Sequence, residues 1–168
     1  MARESVIYED GAVFPYLGRE YVLKLRQYPS YKRPGILPEE NCLLVLTAMT
    51  DADTLKKALK SWYVQQAKQI IPKRAAYYAR QLGEVYGDIR IKDVKSRWGS
   101  CSSKRNLNFN WRLVLAPMEM LDYVVVHELC HLKEMNHSPA FWRLVEAVLP
   151  DYKKRRAWLK ECRLIEKF

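Results

Sequence analysis

All three histidines of this 168-residue chain fall within one eleven-residue window, HELCHLKEMNH, at positions 127, 131 and 137. Residues four apart on an α-helix lie on the same face, with Cβ atoms about 5–6 Å apart. His127 and His131 can therefore bind one metal ion, each through a ring nitrogen. His137 lies six residues beyond His131, which on a continuous helix is a rotation of about 240°. A third ligand at this position requires the helix to end between His131 and His137.

The residues around His137 predict this break. Asn136 tolerates the left-handed conformation that ends helices. Ser138 is a good N-cap and Pro139 a good first residue for a following helix. The spacing therefore predicts a three-histidine site, with one Zn²⁺ per chain as the metal that such ligands favour. Cys130 also lies inside the window, and we expect it to pack in the core as a small apolar residue rather than to bind the metal.

Glu128 directly follows the first ligand, so its side chain is expected to lie beside the metal rather than on it. A carboxylate in that position can act as the general base for a water at the fourth position of the metal. The window therefore predicts a hydrolase in which His127, His131 and His137 bind the metal and Glu128 is the catalytic base.

The rest of the chain predicts an α+β fold, in which a small antiparallel or mixed sheet packs on helices that include the metal-binding one. Residues 1–50 are predicted to form an N-terminal β-meander, with strands at 6–8, 12–16, 21–25 and 42–47 and a loop at 28–40. Residues 51–168 are predicted to form the catalytic domain. Its expected elements are a helix from about residue 54, a strand at 89–94, a turn at 96–103, a strand at 107–113, and helices from 117 to the end with breaks near 134–138 and at 150. Asp51 or Asp53 can cap the first helix, Pro72 is expected to kink or restart it, and Gly83 can end it.

The strand predicted at 107–113 is the candidate for substrate binding. Alternation places Asn108, Asn110 and Arg112 on one polar face, and an edge strand here could pair its backbone with an extended peptide. The same pattern fits an ordinary sheet strand with a solvated face. Arg97 and Arg112 could stabilise a developing oxyanion or a phosphate, although structural salt bridges fit these two residues equally well.

The net charge of +10 is unevenly distributed along the chain. Residues 1–50 hold six basic and six acidic side chains, so the whole excess lies in residues 51–168. On a helical projection of the C-terminal segment, one face carries Lys153, Arg156, Lys160, Arg163 and Lys167. This stripe predicts nonspecific binding to nucleic acid, and its alternative interpretation is a solvated helix face.

The chain lacks the features of a membrane or secreted protein. It contains no stretch of about 18 apolar residues, and its first ten residues, MARESVIYED, contain no apolar run typical of a secretory signal. Its four cysteines are scattered and form no CxxC pair. Reduced thiols and a cytoplasmic location are therefore predicted.

Three segments resemble the YgjP-like family of metal-dependent hydrolases, which is related to the WLM and SprT-like zinc proteases. They are SRWGSCSSKRNLNFNWRLVLAP (96–117), LDYVVVHELCHLKEMNHSPAFW (121–142) and LPDYKKRRAWL (149–159). The likeness is dense over residues 88–160 and thinner over FPYLGREYVLKL (14–25). It implies a zincin-like fold with His127, His131 and His137 as zinc ligands and Glu128 as catalytic base.

Three functions are compatible with these features. The first is a zinc-dependent metallopeptidase that acts on peptides or proteins. The second is a metal-dependent nucleoside triphosphate pyrophosphohydrolase, an activity that the resemblance also suggests and that the basic residues would suit. The third is a nucleic-acid-associated protease of the SprT-like kind. The histidine-only ligand set suits zinc better than the oxygen-coordinated Mg²⁺ typical of phosphate chemistry, so the peptidase ranks first.

Overall fold

The computed structural model describes residues 5–168 and has an α+β fold. It contains two small sheets packed on helices. The strands are β1 (Val13–Tyr16), β2 (Arg19–Gln27), β3 (Gly35–Pro38), β4 (Cys42–Thr47), β5 (Ile89–Lys92), β6 (Gly99–Cys101) and β7 (Leu107–Asn110). The helices are α1 (Ala52–Leu82), α2 (Met118–Cys130), α3 (Pro139–Val148), α4 (Tyr152–Glu161) and α5 (Leu164–Lys167), with a 3₁₀ helix at Trp111–Leu115. No helix in the described range is long and apolar enough to cross a membrane.

The N-terminal sheet has the strand order β1-β2-β4-β3, with β2 and β4 parallel. The predicted β-meander is therefore wrong. β3 forms within the predicted loop and pairs antiparallel with one side of β4, which leaves the other side of β4 for β2. Residues 6–8, predicted as a strand, lie outside any strand, and β1 begins only at Val13.

Helix α1 is continuous over 31 residues, although Pro72 lies inside it. The helix therefore does not restart at the proline, and buried residues recur at helical spacing on both sides of it, from Leu55 and Leu59 to Ile71 and Ala75. The predicted ends are confirmed. Asp51 accepts a hydrogen bond from the Thr54 amide at 3.0 Å, and Gly83 ends the helix with a φ of 65°.

The second sheet positions the functional site, and its strand order is β5-β7-β6. Strand β7 is central, parallel to β5 and antiparallel to β6. It is shorter than the predicted strand 107–113 because the Asn110 side chain caps the following 3₁₀ helix, accepting a hydrogen bond from the Arg112 amide at 3.1 Å. β6 lies within the segment predicted as a turn.

Candidate metal centre

Helix α2 presents the first part of the site. His127 and Glu128 lie in its last turn, and the helix ends at Cys130 with His131 as its C-cap. The chain then turns back, and Ser138 caps α3 by accepting a hydrogen bond from the Phe141 amide at 3.3 Å. The predicted break between His131 and His137 is confirmed. Its mechanism differs from the prediction, because Asn136 is not among the residues with positive φ.

The turn brings the three imidazoles together. Their Nε2 atoms are separated by 3.3 Å between His127 and His131, 3.1 Å between His131 and His137, and 3.1 Å between His127 and His137. Two nitrogens bound to one tetrahedral zinc at about 2.0–2.1 Å are about 3.3–3.4 Å apart. The triangle therefore has the dimensions that three nitrogen ligands of one tetrahedrally coordinated metal ion require.

The outer ring nitrogens of two of these histidines have partners. The Nδ1 atom of His131 lies 3.0 Å from the carbonyl oxygen of Glu134, to which it donates, so its Nε2 carries the free lone pair. The Nδ1 atom of His127 lies 3.3 Å from the Tyr123 hydroxyl. Such contacts fix the tautomer and orientation of a metal-binding imidazole.

Aromatic rings form the floor of the site. Phe141 is fully buried and its ring stacks on His131, with centroids 4.4 Å apart. The same ring meets the edges of His127 and His137. Trp142 lies against His137 on one side and Tyr152 on the other. The rigid floor limits the rotamers that the three ligands can adopt.

Burial favours the neutral form of two of the imidazoles. The pKa of His127 is lowered to about 3 by burial, with further contributions from His131 and His137. Burial also lowers the pKa of His131. Neutral imidazoles carry the lone pairs that a metal cation needs.

Glu128 lies beside this triangle and is only 6% exposed. Burial raises the pKa of its carboxyl group to about 8, against the opposing charge of Arg97. The side chain packs on β6, since a Cβ atom added to Gly99 would lie 3.0 Å from the Glu128 Cγ atom. Cys130, in contrast, is 1% exposed and outside the ligand cluster, so the prediction that it packs in the core is confirmed.

An open cavity of about 220 Å³ gives access to this group of residues, and we call it the metal-site cavity. His127 and Glu128 form one side of it, and Gly99 at the start of β6 forms another together with the preceding Trp98. Arg156 and Lys160 of α4 line its rim. The cavity therefore combines one histidine of the cluster, a buried carboxyl group and positively charged residues.

The four residues predicted to bind substrate are not equivalent in the structure. Arg97, Asn108 and Asn110 line a second cavity, described below, that adjoins the metal-site cavity. Asn110 is buried, and its amide group donates to the carbonyl oxygens of Val94 and Arg97 at 2.8 and 3.0 Å. These contacts give Asn110 a structural role in holding the loop that carries Arg97.

Arg112 is 2% exposed and its guanidinium group donates to Asp93 at 2.8 Å. The predicted shared face of Asn108, Asn110 and Arg112 is wrong, because the strand ends at Asn110 and Arg112 belongs to the 3₁₀ helix. The prediction that this strand is an edge strand is also wrong. The β7 backbone is paired on both sides, and β6 is the edge strand next to Glu128.

The predicted basic stripe is divided between different elements. Helix α4 ends at Glu161, so Arg163 and Lys167 do not continue its face. Arg156 lies over the Trp142 ring, 4.7 Å from its centroid, and lines the metal-site cavity together with Lys160. Lys153 remains exposed on α4. Binding to nucleic acid stays a prediction without support from the comparisons below.

Sequence reasoning missed four residues of the site. Tyr123 had a usable signal, because it lies four residues before His127 on the same helix face. Phe141 and Trp142 had a weaker one, since they lie in the first turn after the Ser138 cap. Gly99 had none, because only the pairing of distant strands brings it against Glu128.

Comparison with known proteins assigns the chain to a family. The sequence model of a family described as YgjP-like, metallopeptidase domain, matches residues 2–162. A comparison with curated proteins finds no match.

Two solved structures are similar to the chain. One is the metallopeptidase zymogen abylysin of Pyrococcus abyssi, at 26% identity and a TM-score of 0.49, covering 55% of this chain and 95% of that one. The other is the metallopeptidase zymogen jannalysin of Methanocaldococcus jannaschii, at 24% identity and a TM-score of 0.48, covering 54% of this chain and 94% of that one.

Proposed function

Because this chain belongs to the YgjP-like metallopeptidase family, we propose that it is a zinc-dependent peptidase in which His127, His131 and His137 bind the metal and Glu128 is the general base. The family makes it a metal-dependent hydrolase, and the proposal adds the metal and the residue roles. The observation that carries it is the triangle of Nε2 atoms, with sides of 3.1–3.3 Å. The donor set supports zinc in particular, because neutral imidazoles suit zinc better than they suit Mg²⁺ or Ca²⁺.

A zinc ion held by three histidines supplies a Lewis acid that polarises a carbonyl group and lowers the pKa of water. Glu128 accepts the proton of the attacking water and delivers it to the leaving amine. Its place in the helix supports this role, since it follows His127 directly and lies against the cavity that a substrate would enter. Burial raises the pKa of the Glu128 carboxyl group, which makes its ionised form a stronger proton acceptor, and a metal cation bound by the adjacent histidines would favour that ionised form.

Two substitutions separate the metal site from the chemistry. We expect His127→Ala to lose bound zinc and activity together, because two histidines remain of three. Glu128→Gln should retain zinc and fold normally but lose turnover, because an amide cannot accept the proton. Metal content by mass spectrometry and cleavage of unfolded casein provide the two measurements.

Glu119→Gln is the matched control, since Glu119 lies exposed in the first turn of the same helix. It should retain both zinc and activity. Full activity of the Glu128→Gln protein would contradict the proposed mechanism. A nucleoside triphosphate panel assayed for phosphate release in parallel tests the alternative, and release that depends on Glu128 without casein cleavage would favour the pyrophosphohydrolase.

A further inference from the structure

A second cavity, of about 350 Å³, adjoins the metal-site cavity, and we call it the basic cavity. The two cavities share Trp98 and Gly99 in their walls. Gly99 is also the residue that packs on Glu128, so only the β6 edge strand separates the basic cavity from the proposed general base. A single ligand could therefore place one group in the basic cavity and another in the metal-site cavity.

The floor of the basic cavity is the outer face of the second sheet. Arg90 is paired with Asn108 across β5 and β7, and Ser100 is paired with Asn108 across β6 and β7. Paired residues share a face, so these three side chains form a row of about 10 Å across three strands. Lys92 lies on the same face of β5, two residues after Arg90.

Every charged group in the basic cavity is a cation. Arg90, Lys92 and Arg97 line it, and no acidic residue does so among the described part of the chain. None of these three cations forms a salt bridge within residues 5–168. Asn108 donates to the Ser100 hydroxyl at 3.2 Å, which leaves the Ser100 hydrogen available as a donor. The cavity therefore presents hydrogen-bond donors and positive charge, the chemistry that binds an anion.

We propose that the basic cavity is a subsite for a carboxylate group of the peptide substrate, and that it gives the enzyme a preference for acidic peptides. The proposal rests on the peptidase function above, which makes a peptide the ligand that spans both cavities. A guanidinium group at Arg90 or Arg97 matches the planar geometry of a carboxylate. A triphosphate fits less well, because no described residue in the lining belongs to a helix whose N-terminus could bind phosphates.

The test measures binding without turnover, on the zinc-loaded Glu128→Gln protein. Fluorescence anisotropy compares three labelled peptides of equal length: one with an internal Glu and an amidated C-terminus, the same peptide with Gln, and a peptide with a free C-terminus and no acidic side chain. We expect the Glu peptide to bind at least about tenfold more tightly than the Gln peptide, since the carboxylate adds charge-assisted hydrogen bonds.

Substitution of both strand β5 cations, Arg90→Gln with Lys92→Gln, should reduce the Glu-to-Gln ratio to near one. Lys73→Gln with Arg80→Gln is the matched control, because it removes the same charge from exposed positions on α1 that line neither cavity. The control should retain the ratio. The comparison of Glu and Gln peptides on the otherwise unaltered protein tests the proposal even where the double variant fails to fold.

Equal affinity for the Glu and Gln peptides, together with weak binding of the free C-terminus, would overturn the proposal. Preferential binding of the free C-terminus would support it and identify the chain terminus as the source of the carboxylate. A nucleoside triphosphate that displaces the Glu peptide and is itself more tightly bound would reassign the cavity to nucleotides and overturn it.

Cleavage of the same peptides by the unaltered enzyme tests the proposed peptidase function separately from the proposed carboxylate subsite. If the Glu peptide binds more tightly than the Gln peptide but neither is cleaved, the proposed peptidase function is contradicted and the carboxylate subsite is still supported. Cleavage with no preference in either assay would contradict the subsite alone.

Discussion

The Glu128 carboxyl group is held from two sides, by its own helix α2 and by the backbone of β6. Gly99 makes this contact possible, because a Cβ atom at position 99 would lie 3.0 Å from Glu128 Cγ and 3.1 Å from the Asn108 carbonyl oxygen, closer than ordinary van der Waals contact. The backbone of Gly99 does not have positive φ, so alanine is disfavoured by space rather than by conformation. The absence of one Cβ atom therefore fixes where the proposed base lies.

We expect Gly99→Ala to lower kcat by about 10- to 100-fold, because a displaced general base no longer reaches the proton it must accept. Zinc content should be unchanged, since no ligand contacts the added methyl group. Gly35→Ala is the control, because its Cβ would meet only Tyr31 at an ordinary 3.7 Å. Steady-state peptide cleavage and metal analysis provide the measurements, and unaltered kcat in Gly99→Ala would disprove the positional argument.

The Tyr123 hydroxyl is positioned to orient the His127 ring, since it lies 3.3 Å from the Nδ1 atom of that histidine. Tyr123→Phe should weaken zinc binding by about tenfold, because outer contacts of ligand histidines typically contribute that much. Tyr152→Phe, which removes a hydroxyl from the neighbouring buried ring, should leave zinc affinity unaltered. Competition with a chromophoric chelator at pH 7 measures both dissociation constants. Equal values for the two variants would show that the Tyr123 contact does not orient His127.

At the scale of elements, helix α2, which carries His127 and Glu128, is joined to α1 through the buried carboxylate of Asp122. Asp122 of α2 accepts two hydrogen bonds from Arg74 of α1, at 2.7 and 2.6 Å, and one from Tyr78 at 2.9 Å. The carboxylate side chain is 9% exposed, so water cannot replace these partners. The paired contacts set the position of α2 relative to the longest helix of the protein.

Asp122→Asn should lower the free energy of unfolding by about 2 kcal/mol, because it removes the charge from a bidentate buried pair. Asp53→Asn is the control, since the Asp53–Lys57 pair is exposed on α1 and should contribute about 0.5 kcal/mol or less. Urea unfolding at pH 7 measures both changes. A change for Asp122→Asn no larger than that for Asp53→Asn would indicate that packing alone joins the two helices.

The elements also show which parts of the fold were accessible from sequence. The caps of α1 and the break before α3 were predictable because Asp51, Gly83, Ser138 and Pro139 act on their immediate neighbours. Strands β3 and β6 could not be predicted in this way, because strands of four and three residues form only through pairing with other strands. The continuity of α1 through Pro72 could not be predicted from local sequence either. It depends on tertiary packing, which outweighs the helical hydrogen bond that the proline cannot donate.

At the scale of the whole molecule, the candidate site also has one part that local sequence predicts, around the histidines, and one part that depends on distant segments coming together, the basic cavity. The clustering of the three histidines was predictable because eleven consecutive residues carry them, together with Glu128. The basic cavity was only partly predictable, because its cations come from β5 and from the loop before β6. The division into residues 1–50 and 51–168 stays a prediction, although hydrogen bonds such as that from Tyr63 to the Pro15 carbonyl at 2.7 Å cross it.

Asp93 connects several parts of the whole molecule. It accepts hydrogen bonds from Lys60 of α1, from the Trp111 indole at 3.0 Å and from Arg112 at 2.8 Å. Arg112 in turn donates to the carbonyl oxygen of Phe168 at 3.0 Å. Burial opposes ionisation of Asp93, but the three donors outweigh it and hold the pKa of the carboxyl group well below its ordinary value of 3.8. Helix α1, the 3₁₀ helix and the C-terminal segment therefore depend on one ionised carboxylate.

This dependence predicts how stability changes with pH. Because the pKa of Asp93 is lower in the folded than in the unfolded protein, its contribution is complete above the unfolded value of 3.8 and is lost as pH falls toward the folded pKa. Asp93→Asn should therefore lower the melting temperature most at pH 6–7. Below about pH 4 the difference in melting temperature between this variant and the unaltered protein should become progressively smaller. Asp88→Asn, at an exposed position before β5, should follow the unaltered protein at every pH. Thermal unfolding from pH 3 to pH 7 measures the three curves, and a gap that stays constant across this range would mean that Asp93 stabilises the fold by its shape and not by its charge.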